Sequence, residues 1–466
     1  MYPKQQTFFV LGLSRSGVAA ATFLLGCHAK TYLYDDVESE EIEGRIKQLE
    51  QKGAIRVHAS SLQDMVAICD VLILSPGIPI DHPISVQFRR LGKAVIGETE
   101  LAARYMRCPI IAVTGTNGKT TTVSMIEEVL QQEGVTARAC GNIGAPMINF
   151  CGLGQEDVAV AEISSFQLET LNSIQPHIVA VLNVSEDHLN RHYNMENYIF
   201  LKSKMLKSLS PAEYAVLNYD DKTVRSFTEK TRAKCVYFSV IEKVDGAYYY
   251  DGALYYYEEK IMDANALLIG GVHNIQNALS AIVCAKLMGV KNENIAKALS
   301  NFKGIKHRVQ FICEKGGVKY IDDSKGTNVD ATIKAVNCMK SDTILLLGGK
   351  DKGYDYDKLF EELKSSVVRH SVLYGENRFR LLESAQKAGV KNISLCENMQ
   401  IAIWISKCMA KPGETVLLSP ASASFDAFSG YEERGDKFKE IIYSFEEKEI
   451  SDMVEEMEID CEKCAE

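Results

Sequence analysis

Short apolar runs alternate with amphipathic stretches along most of the chain, and that alternation predicts an α/β fold. Phe8-Phe9-Val10-Leu11 predicts a buried strand, residues 12–17 a turn and residues 18–25 the helix that follows. Tyr32-Leu33-Tyr34 and Val71-Leu72-Ile73-Leu74 read as further strands, closed by Asp35-Asp36 and by Ser75-Pro76-Gly77. A second block opens at Ile110-Ile111-Ala112-Val113, a strand, with a helix over residues 123–130. Inside it, Tyr248-Tyr249-Tyr250 and Leu254-Tyr255-Tyr256-Tyr257 flank Asp251-Gly252, which predicts a hairpin with cross-strand aromatic pairs. Strands at residues 343–347 and 415–418 mark a third block. The expected domains are therefore residues 1–105, 106–302 and 303–446, with a disordered tail over 447–466.

Composition narrows the class. A chain of 466 residues is too long for one core, and 46% hydrophobic with 24% charged residues is ordinary for a soluble protein. No apolar run approaches the roughly 20 residues a membrane helix needs. Ser14-Arg15-Ser16 interrupts the N-terminal apolar run, so a strand is expected there and not a signal peptide. The thirteen cysteines are scattered, as Cys69 is between Ile68 and Val71, which predicts reduced core thiols and a cytoplasmic location. Of the net charge of −10, residues 447–466 carry −7, so the body is close to neutral. Cys461 and Cys464 in that tail supply two ligands, too few for a metal alone. No basic run with interleaved aromatics appears, so no nucleic acid is expected as a partner. A monomer is expected.

The segment Thr114-Gly115-Thr116-Asn117-Gly118-Lys119-Thr120-Thr121-Thr122 stands between a strand and a helix. Glycines there let backbone N–H groups close on phosphate, and the helix N-terminus adds donors. Gly115, Thr116, Asn117, Gly118, Lys119, Thr120 and Thr121 are thus the expected ATP contacts, with Lys119 on the terminal phosphates and the Thr120 hydroxyl on magnesium. Val113 stands where the usual phosphate loop has its first glycine. Glu162 and His188 follow strands at residues 158–161 and 180–183, at the sheet edge where open α/β proteins place chemistry, and could hold magnesium. Gly12-Leu13-Ser14-Arg15-Ser16-Gly17, with Asp35 about twenty residues on, resembles a dinucleotide fingerprint with Ser14 for its second glycine. That leaves an NAD-dependent oxidoreductase as the rival class.

The shortened loop resembles that of the ADP-forming amide ligases, which include folylpolyglutamate synthase and cyanophycin synthetase. Residues 162–169, Glu-Ile-Ser-Ser-Phe-Gln-Leu-Glu, and 182–189, Leu-Asn-Val-Ser-Glu-Asp-His-Leu, look like motifs of the Mur ligase family. The resemblance covers residues 7 to about 440. It implies a Rossmann-like N-terminal domain, a central P-loop ATPase-type domain and a C-terminal Rossmann-like α/β domain. It also implies an ATP-dependent ligase adding D-glutamate to UDP-N-acetylmuramoyl-L-alanine through an acyl phosphate, for peptidoglycan precursor synthesis. Within the class, the alternatives are an L-alanine-adding member or a folylpolyglutamate synthase.

The same resemblance assigns residues. Tyr198-Ile199-Phe200-Leu201-Lys202 matches the Tyr-x-x-x-Lys context of a carbamylated lysine, so Lys202 is expected to join Glu162, His188 and Thr120 around two Mg2+ ions. Lys204 is the competing lysine. Lys119, Lys202, His188 and Glu162 are the expected catalytic set. Asn274, Asn277, Arg308 and Asp323 are implied at ATP, with helix capping as a further reading of Asn274. Leu13, Ser14, Asp35, Ser75, Pro76, Gly77, Asn142 and Gln167 are implied at the UDP precursor. Lys325, Thr327, Lys352, Ser424, Phe425 and Tyr431 are implied at D-glutamate. The family segment at residues 322–328 usually reads Asn-Asp-Ser-Lys-Ala-Thr-Asn, so Asp322 and Gly326 depart from it.

Overall fold

Three sheets organise the residues that the computed structural model describes, 3–185, 187–351 and 355–446. The first contains β1 (Thr7–Leu11), β2 (Lys30–Tyr34), β3 (Ile55–Arg56), β4 (Val71–Leu74) and β5 (Ala94–Ile96), all parallel, in the order β3-β2-β1-β4-β5. Strands covered on both faces need no polar alternation, which is why β1 and β4 read as continuous apolar runs. The order reverses between β1 and β4, and such a switch point opens a crevice at the strand C-termini.

The second sheet has nine strands: β6 (Ile110–Thr114), β7 (Ala137–Gly141), β8 (Val158–Glu162), β9 (Ile178–Val181), β10 (Tyr214–Asn218), β11 (Lys234–Ser239), β12 (Gly246–Tyr250), β13 (Ala253–Tyr256) and β14 (Glu259–Asp263). They run β14-β13-β12-β11-β10-β9-β6-β8-β7, which puts β6 between β8 and β9. β12 and β13 form the expected hairpin, with Tyr248 opposite Tyr255 and their rings stacked at 5.4 Å. The third sheet comprises β15 (Gln310–Lys315), β16 (Val318–Asp322), β17 (Thr343–Gly348), β18 (Val368–Tyr374), β19 (Ile393–Leu395) and β20 (Thr415–Leu418), ordered β15-β16-β20-β17-β18-β19. Only β15 pairs antiparallel there.

The chain divides into two compact units between Phe302 and Lys303. In the first, one core runs from Phe8, Val10 and Leu24 of the N-terminal block to Ala112, Ile163 and Leu206 of the central block. In the second, separate clusters cover the two faces of the third sheet, around Ile344 and Ile403 on one side and Leu345 and Phe360 on the other.

Two helices start earlier than their apolar residues suggest. The first spans Arg15–Gly26 and the one after the glycine loop spans Lys119–Gln132, because polar residues fill both first turns. Among the described residues all eleven cysteines are free, and Cys69, Cys108, Cys140 and Cys284 are buried. No helix among them is long and apolar enough to cross a membrane. Glu186, Lys352 and the tail with Cys461 and Cys464 lie outside the described residues.

Candidate functional site

The glycine loop leaves β6 and is held in shape by Asn183, just past β9. Thr116 N donates to the Asn183 carbonyl (3.0 Å), Asn117 N to Asn183 Oδ1 (2.8 Å), and Asn183 Nδ2 returns a bond to Asn117 O (3.2 Å). Gly115 and Gly118 take φ of +154° and +83°. At Gly118 a side chain is excluded twice, since its Cβ would also lie 2.3 Å from Asn277 Oδ1. Lys119 donates to the carbonyls of Gly115 and Thr116, 2.9 Å each, so it curls over its own loop. Thr120 is buried in the first helical turn, and Thr121 is half-buried beside it.

Lys202 comes to the same loop from the Met195–Ser203 helix. Its ammonium donates to Gly115 O (2.8 Å) and Thr114 Oγ1 (3.3 Å), and the residue is 1% exposed. Burial, then the neighbouring Lys119 charge, holds the Lys202 amine well below the ordinary lysine range, opposed in part by Asp187 and Glu162. Lys204 turns away and donates to the carbonyls of Leu168 and Glu169. Of the two lysines, only Lys202 bonds to the loop.

Glu162 ends β8, buried, with Oε1 accepting from Asn142 Nδ2 (2.7 Å) and Oε2 without a hydrogen-bond partner. A buried carboxylate oxygen left bare is costly unless something absent from the chain completes it, and an oxygen-seeking cation fits that need. His188 takes a left-handed backbone (φ 53°), and its half-exposed ring packs on Phe166 at 4.8 Å, with Nε2 3.5 Å from Asp187 Oδ2. Among the described residues no three His, Cys, Asp or Glu side chains cluster as a metal site on their own. Tyr198 is buried against Thr116, its hydroxyl 3.1 Å from Thr116 Oγ1.

Asn274 is not the helix cap. Gly271 is the N-cap of the Val272–Leu287 helix, and Asn274 reaches back to Gly270 O (2.8 Å) while accepting from Asn277 Nδ2 (3.2 Å). Asn277 in turn accepts from Thr122 Oγ1 (3.3 Å), which sets both asparagines against the start of the Lys119–Gln132 helix.

At the switch point of the first sheet, Leu13 N donates to Asp35 Oδ2 (2.5 Å), Ser75 Oγ to Gly12 O (2.7 Å), and Ser14 Oγ to Ser75 Oγ (3.4 Å). Pro76 and Gly77 continue that turn, and the Pro76 carbonyl faces Arg191. Asn142 stands against Glu162 instead, and Gln167 closes a capping box with Ser164 while donating to Thr99 Oγ1 (3.1 Å).

In the second unit, loops after β16, β17 and β20 converge. Asp323 accepts from Ser419 Oγ (2.6 Å) and Val309 N (3.2 Å), and burial pushes its carboxyl up to about 7 against the pull of Ser419 and Arg308. His307, with φ 61°, sits 2.7 Å from Asp322 Oδ2, and its carbonyl accepts from Lys325 N (2.9 Å). The Lys325 ammonium lies 5.2 Å from the centre of the Tyr431 ring, and Thr327 N donates to Lys325 O (2.9 Å). Gly326 is wedged so tightly that a Cβ would be 2.4 Å from Asp323 Oδ2 and 2.6 Å from Ser419 Oγ. Ser424 is buried, and Phe425 is 64% exposed.

Arg434, which no sequence motif singled out, binds these loops together. Fully buried, it donates to Ser324 Oγ (3.0 Å), Ser324 O (2.8 Å), Ser422 O (3.0 Å), Ala423 O (3.3 Å) and Gly348 O (3.5 Å).

Three family descriptions match in succession: Mur ligase MurD-like N-terminal domain over residues 6–97, Mur ligase middle domain over 113–285, and Mur ligase glutamate ligase domain over 307–422. A protein named UDP-N-acetylmuramoylalanine--D-glutamate ligase in Pelotomaculum thermopropionicum is 38% identical over 93% of this chain and 97% of its own. The chain belongs to the Mur ligase family. Other Mur ligases of the same name are similar to it in Alkaliphilus metalliredigens (38% identical, 95% and 98% covered) and Clostridioides difficile (36%, 94% and 98%). Among solved Mur ligases, the UDP-N-acetylmuramate-alanine ligase of Thermotoga maritima shares the fold at a TM-score of 0.59 with 18% identity, over 94% of this chain and 99% of that one. A MurF from Acinetobacter baumannii aligns at 0.55 with 19% identity, over 83% and 87%.

Proposed function

We propose that this Mur ligase adds D-glutamate to UDP-N-acetylmuramoyl-L-alanine with hydrolysis of ATP to ADP and phosphate, in the cytoplasm, for peptidoglycan precursor synthesis. The observation that carries the reading is the meeting, at one phosphate loop, of Lys119, the buried Lys202 and the bare oxygen of Glu162. Similarity to D-glutamate ligases across nearly the whole chain directs the choice of amino acid.

In this reading residues 115–121 hold the triphosphate, and Lys119 exchanges its loop carbonyls for the terminal phosphate oxygens. Glu162 Oε2, the Thr120 hydroxyl, His188 and Lys202 as its carbamate would hold two magnesium ions, which neutralise phosphate charge when bound. The depressed Lys202 amine suits that modification: a neutral amine takes up carbon dioxide, forms an N–C bond and releases one proton. Asn274 and Asn277, and in the second unit Arg308 and Asp323, are assigned to ATP. Leu13, Ser14, Asp35 and the turn at residues 75–77, with Asn142 and Gln167, are assigned to the precursor. Lys325, Thr327, Lys352, Ser424, Phe425 and Tyr431 are assigned to D-glutamate.

The precursor carboxylate attacks the γ-phosphorus and ADP leaves, giving an acyl phosphate. The D-glutamate amine then attacks the acyl carbon, loses a proton, and phosphate departs. Phosphate release from ATP should require both the UDP precursor and D-glutamate, with L-glutamate and L-alanine inert. Stimulation by L-alanine with none by D-glutamate would overturn the assignment.

A further inference from the structure

The segment after His188 carries a group that the proposed chemistry does not use. Arg191 Nη2 donates to Ile78 O (2.7 Å) and Pro76 O (3.5 Å), on the turn that follows β4. The same guanidinium grips Glu169 at two points, Nε to Oε1 at 3.0 Å and Nη2 to Oε2 at 2.6 Å. Glu169 has only 7% of its side chain exposed and also faces His192 Nδ1 at 3.3 Å. Arg191 lies 5.2 Å over the Phe166 ring, and that ring packs against the imidazoles of His188 at 4.8 Å and His192 at 5.5 Å. A second tie joins the same regions, since the Tyr193 hydroxyl donates to Asp81 Oδ2 (2.5 Å).

An exposed ion pair would fix little. This one is shielded and bidentate, and its arginine is anchored at the same time to backbone carbonyls, so it constrains direction as well as distance. One rigid planar group therefore touches the turn at residues 75–78, the helix Ser165–Thr170 through Glu169, and the ring on which His188 rests.

We infer that Glu169 and Arg191 are a positioning pair that makes the turn at residues 75–78 and the His188 imidazole one mechanical unit, so that UDP-precursor binding and magnesium binding reinforce each other. The inference rests on the roles proposed above for that turn and for His188. Linkage makes the effect reciprocal: the factor by which magnesium tightens the precursor is the factor by which the precursor tightens magnesium. Arg191 need touch neither ligand.

Calorimetric titration of UDP-N-acetylmuramoyl-L-alanine into the full chain, with a non-hydrolysable ATP analogue present, with magnesium or with EDTA, tests this. The wild type should bind the precursor about tenfold tighter with magnesium, within the usual range for coupled sites. Arg191→Lys keeps a charge for Glu169 but cannot also span the two carbonyls, and should reduce that factor to about twofold or less. Tyr193→Phe removes the other tie and leaves the pair intact, so it should weaken the precursor equally with and without magnesium. Thermal melts check that each variant folds; should Arg191→Lys not fold, Phe166→Leu, which removes the ring between Arg191 and His188 while sparing the hydrogen bonds of the pair, carries the same expectation. A wild-type factor retained in Arg191→Lys or Phe166→Leu, or no factor in the wild type, overturns the pair's role. A wild type that binds precursor yet releases no phosphate with D-glutamate overturns the proposed function instead, and one that binds no precursor overturns both.

Discussion

Lys202 owes its chemistry to where the chain buries it. Its amine is held down by burial and by Lys119, so a neutral form capable of taking up carbon dioxide is accessible well below the ordinary lysine range. The sign follows directly: the neutral amine, and activity with it, should be lost as pH falls through that lowered value. Lys202→Ala should cut turnover by roughly a hundredfold or more, with partial recovery on adding formate or acetate, read by phosphate release. Gly118→Ala should cost about 1–2 kcal/mol of backbone strain and displace Asn277, lowering both the melting temperature and nucleotide affinity. At this scale the sequence was legible where a motif names a residue, as with Lys119 and Glu162. The choice between Lys202 and Lys204 came from family spacing, because two lysines on one helix look alike until their carbonyl partners are known. Arg434 carried no signal, and Asn183 lay inside a family-like segment without a role, since a polar side chain's partners depend on chain segments far away in sequence.

Helices and strands show a sharper division. Strands announced themselves as apolar runs, and β1, β4, β6, β8, β17 and β20 all form where those runs lie. Helix starts did not, because Arg15-Ser16 and Lys119-Thr120-Thr121-Thr122 form first turns from polar residues that belong to the loop chemistry. Convergence of loops was invisible from sequence, and Arg434 is what holds it. Arg434→Met would leave the carbonyls of Ser324 and Ser422 without their donor, and should destabilise the second unit by about 3 kcal/mol or more, measured by urea unfolding. The helix Glu98–Ala103 offers a pH test in the first unit. Glu98 is buried, its carboxyl raised to about 7 from 4.5 by burial despite accepting from Ile148 N (2.6 Å). A raised carboxyl means the folded state keeps a proton that the unfolded state has lost, so stability from this group is full below about pH 4.5 and declines until about pH 7. Glu98→Gln should therefore match the wild type in acid and exceed it above neutrality, as followed by thermal melts.

Across the whole molecule, the break between Phe302 and Lys303 separates two sets of cores, and the clusters on both faces of the third sheet are complete within the second set. A fragment of residues 303–446 should thus fold alone and unfold cooperatively in circular dichroism; a non-cooperative melt would show that it depends on the rest of the chain. The sequence anticipated three α/β blocks. It did not show that the first two share one continuous core, because nothing in a linear pattern places Phe8 and Leu206 in the same buried cluster.

Gly326 fixes how much room is left beside Asp323 and Ser419. An alanine at that position would force Asp323 and Ser419 out of their 2.6 Å contact. A methyl at this position is thus barred unless those neighbours move first. Change at this spot is therefore order-dependent: Gly326→Ala should be deleterious by itself, and tolerated only after a neighbouring substitution has made room.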